Sequence, residues 1–266
     1  MIDFHNHILP GIDDGAKDWD EFFAMIEIAA AEGIAQIVCT PHYICGEVEY
    51  NISSYNKLLE EARERLAARN IAMKLIPGNE VFFSNEIVPA LAEGKLITVN
   101  NQGKHLLIEF PMMDVPSYTQ DILFELKLKG VTPIIAHPER NHVLSNNGEL
   151  LAKLIEAGCL CQLNSGSITG LFGESTKRAA ISLVQSGMVH LLGTDAHSPR
   201  RRGPKVKEAM KLIFELAGAA RGQEIIEVNP LKIINGLEVE PYPIELIQEK
   251  RSLWGWLVKS LKASSQ

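Results

Sequence analysis

The chain opens MIDFHNHILPGIDDG, and its first polar side chains are of the kinds that bind metal ions. His5 and His7 stand two residues apart, so on a strand they share one face with Asp3, while Ile2 and Phe4 take the other. Two imidazoles on one face offer neutral nitrogen donors to a single transition-metal ion. A chance pair on a half-exposed strand would read the same way, so the rest of the chain must decide. Ligand-type residues recur at the ends of apolar runs: His42 in TPHY, Glu80 in PGNEVFF, Glu109 in LLIEF, His137 in IIAHPER, Asp195 and His197 in LLGTDAH. Each buried ionisable group costs several kcal/mol unless it is paired or coordinated. One such residue could be a satisfied core group. A whole series points to a multinuclear metal site, with His5 and His7 as its first pair.

Elements must bring these residues together. Strand-like runs cover 2–7, 34–40, 73–80, 105–110, 132–137, 160–164 and 189–195, and helical patterns lie between them. Tyr55, Leu58, Leu59, Ala62 and Leu66 follow helical spacing within a charged surround. Asp18 with Glu21 three residues on forms a capping-box pattern, which removes Asp18, Asp20 and Glu21 from the catalytic candidates. Alternating strands and helices imply an α/β fold of parallel strands with helical crossovers. Seven such units fit a closed or nearly closed barrel, whose C-terminal strand ends converge on one face.

Length and composition set bounds. A chain of 266 residues is within reach of one large α/β barrel domain. The net charge of −7 argues against nucleic acid as partner, without excluding anionic substrates beside bound metal. No run reaches the ~18 uncharged apolar residues of a membrane span, and no signal peptide opens the chain. The four cysteines, Cys39, Cys45, Cys159 and Cys161, lie within or just after apolar runs, which fits a reduced, cytoplasmic setting. A cysteine phosphatase needs an arginine six positions after its cysteine. Those positions hold Cys45, Asn51, Ser165 and Ser167, which excludes that mechanism. His190 and His105 belong to apolar strands and are read as structural, and His142 as a substrate contact.

The fragments HNH, TPH, GNE, IEF, AHPER and GTDAH resemble the successive motifs of the polymerase-and-histidinol-phosphatase (PHP) superfamily of metal-dependent phosphoesterases. The longer opening fragment, HPER and the arginine-proline element after the last motif resemble its bacterial protein-tyrosine phosphatases of the capsule-regulating type. The likeness runs from Met1 to about Pro230. It implies a distorted seven-stranded (β/α) TIM-like barrel over residues 1–242 and a three-metal, manganese-dependent site. One metal would be held by His5, His7, Glu80 and Asp195. A second would take Glu109 and His137, with Glu80 bridging, and a third Asp14, His42 and His197. Mn²⁺, Fe²⁺ and Zn²⁺ all suit such a shell. A hydroxide bridging the metals would attack phosphorus, and the substrate would be phosphotyrosine on a protein, a membrane-associated tyrosine kinase controlling capsule or exopolysaccharide synthesis.

By the same resemblance Arg140 and Arg202 are the catalytic, phosphate-binding arginines. Three arginines in a row leave Arg201 open beside Arg202, and a surface ion pair with Glu139 is the alternative for Arg140. Pro204 is well placed to open a helix, so the cations from Arg200 to Lys207 would crowd its N-terminus, where a docked anion would offset them. Asp3 is expected either to orient a ligand histidine or to form a salt bridge at the barrel floor. Residues 243–266 form an amphipathic tail with Trp254 and Trp256 among lysines. It packs on the barrel or on a second subunit, or lies at the inner face of a membrane. A histidinol-phosphate or other small-molecule phosphatase shares every ligand, and a metal-binding regulatory module without turnover is the reading from another class.

Overall fold

The computed structural model describes residues 1–246, so the expectations for the rest of the tail lie outside the described residues. Nine strands are present: β1 (Ile2–Asn6), β2 (Gln36–Cys39), β3 (His42–Tyr43), β4 (Lys74–Pro77), β5 (Glu80–Phe82), β6 (His105–Glu109), β7 (Thr132–Ala136), β8 (Leu160–Asn164) and β9 (Leu191–Gly193). The main helices are α1 (Trp19–Ala31), α2 (Ile52–Ala68), α3 (Ile87–Ala92), α4 (Thr119–Leu128), α5 (His142–Asn146), α6 (Gly148–Glu156), α7 (Ser165–Thr169), α8 (Glu174–Gln185), α9 (Lys207–Gln223) and α10 (Asn229–Ile234). All ladders are parallel, in a three-stranded sheet β1-β2-β4 and a six-stranded sheet β3-β5-β6-β7-β8-β9.

Two of the seven expected strand runs cross between the sheets at or just beyond their C-terminal ends. The run 73–80 breaks after Pro77, and the segment beyond Gly78 and Asn79 leaves β2 to pair with β3 and β6. Proline cannot donate to a ladder. Gly78 gives its amide to the Tyr55 hydroxyl at 3.2 Å, and Asn79 accepts from the Ile97 amide at 2.6 Å. The same step follows β2, where Thr40 and Pro41 precede β3. Its consequence is a register that sets His42 opposite Glu80. At the other seam the backbones of β1 and the segment after β9 meet: Asp195 N donates to His5 O at 2.7 Å and His7 N to Ala196 O at 3.0 Å.

A bulge in β1 overturns the expected sharing of one face by Asp3, His5 and His7. Asp3 pairs with Ile37 but Asn6 with Cys39, three steps against two. One extra residue shifts the alternation, as bulges beside active sites do. Ile2 and Phe4 therefore join Val38, Ile76, Leu107, Ile134, Leu160 and Leu191 in one buried cluster. His5 turns to that same side, against Gln162, and Asp3 does not.

The helices cover the outer faces. In α1, Asp18 accepts from Glu21 N at 2.9 Å and Glu21 from Lys17 N at 3.1 Å, the expected capping pattern. In α2, Tyr55, Leu59, Ala62 and Leu66 are buried, as their spacing predicts. The helix after the arginine run differs from expectation. It begins at Lys207, beyond Pro204, and the Glu32 carboxylate already accepts its first amides, Val206 N and Lys207 N, both at 2.9 Å. An acidic side chain from α1's end thus offsets the dipole that a docked anion was expected to meet. No helix among the described residues is long and apolar enough to cross a membrane.

Candidate metal centre

Strand ends bring His5, His7, Glu80 and Asp195 into contact at full burial. Nε2 of His5 and Nε2 of His7 are 3.1 Å apart. Glu80 Oε2 lies 3.1 Å from the first and 3.2 Å from the second. Asp195 Oδ1 lies 3.6 and 3.5 Å from the same two atoms. These five separations, 3.1–3.6 Å, match the ~3.4 Å between donor atoms of one tetrahedral ion with bonds of ~2.1 Å.

A second set shares Glu80. His137 Nε2 is 3.0 Å from Glu80 Oε1 and 3.5 Å from Glu109 Oε1, and His42 Nδ1 is 3.0 Å from Glu80 Oε2 and 3.8 Å from Glu109 Oε2. A third lies at the mouth, where the exposed Asp14 is 3.6 Å from His42 Nε2 and 3.3 Å from His197 Nε2. Every ligand-type residue singled out in the sequence reaches one of these groups.

The hydrogen-bond partners fix which nitrogens face inward. His5 Nδ1 meets Gln162 Oε1 at 2.9 Å, and His7 Nδ1 meets Asp13 Oδ2 at 2.7 Å. Both acceptors leave Nε2 as a lone pair. Gln162 Nε2 donates to Asn164 Oδ1 at 2.9 Å, and Asn164 Nδ2 donates to Asp195 Oδ2 at 2.7 Å. A carboxylate accepts only, so Asp195 fixes Asn164, Asn164 fixes Gln162, and Gln162 requires His5 to carry its proton on Nδ1. Gly193 is needed beside this run: a Cβ there would lie 2.6 Å from His5 Cβ and 2.8 Å from Gln162 Nε2.

Inward lone pairs at such separations repel unless a cation lies among them. Glu80 Oε2 and His42 Nδ1 lie 3.0 Å apart, yet neither finds hydrogen-bond geometry with any partner, a burden that buried polar atoms rarely carry. Burial pushes Glu80 up, but His5, His137 and His42 overcome it and hold its carboxyl well below the ordinary range. Asp195 is likewise depressed, by His5 and His137 against its burial. Burial lowers His7, yet Asp13 and Glu80 raise it well above the ordinary value. Ionised carboxylates and imidazoles that seek protons both mark a place that favours positive charge. The donor set fits divalent metal.

Backbone strain concentrates here. His137 and Asp195 adopt φ of 30° and 52°, a region non-glycine residues rarely occupy outside constrained, often functional, sites. Arg140 Nη1 and Arg202 Nη2 both reach Asp195 Oδ2, at 2.6 and 2.7 Å. Arg140 also lies over the Phe172 ring, 4.5 Å from its centroid. Its expected alternative, an ion pair with Glu139, is absent, because the buried Glu139 carboxylate accepts from Asn164 N at 3.0 Å. Arg201 is exposed.

Two further expectations meet the structure here. Asp3 touches no imidazole: it accepts from Thr194 N at 2.8 Å, Thr194 Oγ1 at 2.6 Å, Asn6 Nδ2 at 2.8 Å and the His5 backbone amide at 3.4 Å. It ties β1 to the end of β9; its contact with His5 is to the backbone amide and not to the ring, and among the described residues it forms no salt bridge. The partners that do orient histidines, Asp13 and Gln162, were not singled out; their signals were the doubled aspartate of GIDDG and a glutamine inside an apolar strand. Burial raises all four cysteine thiols, Cys39 and Cys159 to about 12, which disfavours a thiolate nucleophile.

Comparison with known proteins gives the family of the chain. The family described as capsular polysaccharide synthesis, CpsB/CapC, matches residues 1–235. Tyrosine-protein phosphatase YwqE of Bacillus subtilis (strain 168) is 33% identical over 258 residues, 96% of this chain and 100% of that protein. Tyrosine-protein phosphatase CpsB of Streptococcus pneumoniae is 31% identical over 241 residues, 88% of this chain and 98% of that one. The crystal structures of YwqE and CpsB, described as unique metal-dependent tyrosine phosphatases, supply a match at TM-score 0.89 and 32% identity, covering 94% of this chain and 100% of theirs. A histidinol phosphate phosphatase from Lactococcus lactis shares the fold alone, at TM-score 0.54 and 13% identity over 82% of this chain and 93% of that one. The chain belongs to the CpsB/CapC family.

Proposed function

We propose that this protein is a metal-dependent protein-tyrosine phosphatase with His5, His7, Asp14, His42, Glu80, Glu109, His137, Asp195 and His197 as its metal ligands. The observation that carries the reading is the division of Asp195: Oδ1 faces the imidazoles, while Oδ2 holds Arg140 and Arg202. Cation-binding atoms and anion-binding guanidiniums thus meet at one carboxylate. The two sheets act as arcs of one distorted (β/α) barrel, with the site at its C-terminal rim.

Bound divalent ions, Mn²⁺ by preference and Fe²⁺ or Zn²⁺ as substitutes, supply Lewis acidity and a water of lowered pKa for phosphoester hydrolysis. The side chains of this protein do the rest. Arg140 and Arg202 exchange Asp195 for phosphate oxygens, which guanidinium recognises through paired hydrogen bonds. Asp14, His42 and His197 stand at the mouth, where the tyrosyl oxygen departs. With an ordinary pKa of ~10, that oxygen needs less protonation than an alkoxide.

The substrate is phosphotyrosine on a protein, and we infer a membrane-associated tyrosine kinase in capsule synthesis, dephosphorylated from the cytoplasmic side. Hydrolysis of a phosphotyrosine peptide beside histidinol phosphate, each with added Mn²⁺, tests the reading. Turnover of the peptide in preference to histidinol phosphate is expected. The reverse preference would make this a small-molecule phosphatase.

A further inference from the structure

Arg140 stands at one end of a second feature, a groove of about 760 Å³ beside the metal centre. It is lined by residues of α5 and α8 together with Met113 and Leu246. Its volume falls within the ~300–1,000 Å³ of sites that hold drug-sized ligands, more than one tyrosyl side chain needs. Arg140, His142 and Arg178 line it against a single acid, Glu139. That acid is buried, and one of its oxygens accepts from Asn164 N at 3.0 Å. Ser145 and Thr176 add neutral polar groups to the wall. Two arginines against one buried acid give the groove a positive excess on a chain of net charge −7.

Resting on the phosphatase reading above, we propose that this groove binds the residues flanking the phosphotyrosine and selects segments carrying aspartate or glutamate. Continuity supports it: Arg140 belongs both to the groove and to the cluster at Asp195, so a phosphotyrosine docked at the metal centre directs its neighbours along the groove. Charge supports it too, since complementary potentials give specificity and speed encounter. The chain's own segment 247–266 is the rival occupant, because Leu246 lines the groove. That segment carries Lys250, Arg251, Lys259 and Lys262 against Glu249 alone, which matches a cationic groove poorly.

The test uses the full chain with added Mn²⁺ and three substrates: p-nitrophenyl phosphate, a phosphotyrosine peptide with acidic flanks, and the same peptide with glutamine and asparagine flanks. The acidic peptide is expected to exceed the neutral one in kcat/KM by about fivefold, the scale of one exposed ion pair. The excess should shrink with salt. Arg178→Glu should abolish it and Arg178→Lys should keep it, with p-nitrophenyl phosphate turnover unchanged in both. Equal kcat/KM for the two peptides, or a preference that survives Arg178→Glu, overturns the groove while leaving the phosphatase reading intact. No turnover of any of the three overturns both. A rise in peptide kcat/KM on replacing Trp254 and Trp256 by serine would assign the groove to the chain's own C-terminal segment and overturn the proposal.

Discussion

Arg140 and Arg202 come from segments more than sixty residues apart yet place their guanidinium nitrogens 2.6 and 2.7 Å from the same oxygen, Oδ2 of Asp195. Two cations so close are tolerable only while an anion lies between them. Asp195 fills that position, and a phosphate group offers more oxygens for the same pair.

The first prediction follows. Arg140→Ala and Arg202→Ala should each lower kcat/KM on a phosphotyrosine peptide by about 2–4 kcal/mol, the scale of losing one preorganised charge contact in a transition state. Arg201→Ala should change it little, because that side chain is exposed while Arg202 reaches Asp195. Steady-state kinetics on the three variants decide, and a damaging Arg201→Ala would place the clamp one residue earlier.

Glu80 joins two of the ligand groups. Glu80→Gln keeps its size and removes its charge, so bound metal should fall and phosphatase activity disappear. Elemental analysis beside activity checks both, and full metal content with full activity would disprove the shared role.

Gln162 acts through His5 and Asn164. Gln162→Leu removes the acceptor that keeps the His5 proton on Nδ1, and metal affinity should weaken roughly 10–100-fold, as for other partners of ligand histidines. Competition with a coloured chelator measures this without turnover, while circular dichroism reports whether the fold is retained. An unchanged affinity would show that His5 keeps its tautomer unaided.

His190 offers a pH signature away from the metal. Burial, with Arg221 nearby, pushes its pKa down to about 4, and its Nδ1 accepts from Cys161 N at 3.1 Å. The unfolded chain binds a proton near pH 6.5, so between about 6.5 and 4 it holds more protons than the folded one. Stability from this group is therefore complete above about pH 6.5 and declines as pH falls toward 4, by up to about 3 kcal/mol. Urea unfolding of chelator-treated protein at pH 7.5 and 5 should show a smaller decline in His190→Gln than in the unaltered chain. Equal declines would reject the assignment.

Much of the site was legible because chemistry of the side chains outweighs geometry. Histidine, glutamate and aspartate at the ends of apolar runs have few bland explanations, and all nine named ligands converge. Their orientation was less legible. Simple alternation put Asp3 beside His5 and His7, and a bulge separates them. His137 and Asp195 turn by way of positive φ, which a two-residue period cannot encode. The cap of α9 by Glu32 spans more than 170 residues of sequence, so no local pattern announced it. The crossing of two strand runs between sheets was hidden for a related reason: proline, glycine and asparagine marked a break, but not the partner beyond it.

The seam between β1 and the end of β9 has a consequence for when the protein becomes itself. His5 and His7 precede Asp195 and His197 by 190 residues, and Asp3 and Thr194, 191 residues apart, join the two stretches. Contacts of such sequence separation form late, since loop closure opposes them until the intervening chain is ordered. A nascent chain short of β9 therefore carries the first ligands without the last. On the ligand set proposed above, complete metal capture then waits for the stretch around Asp195 to fold back on β1.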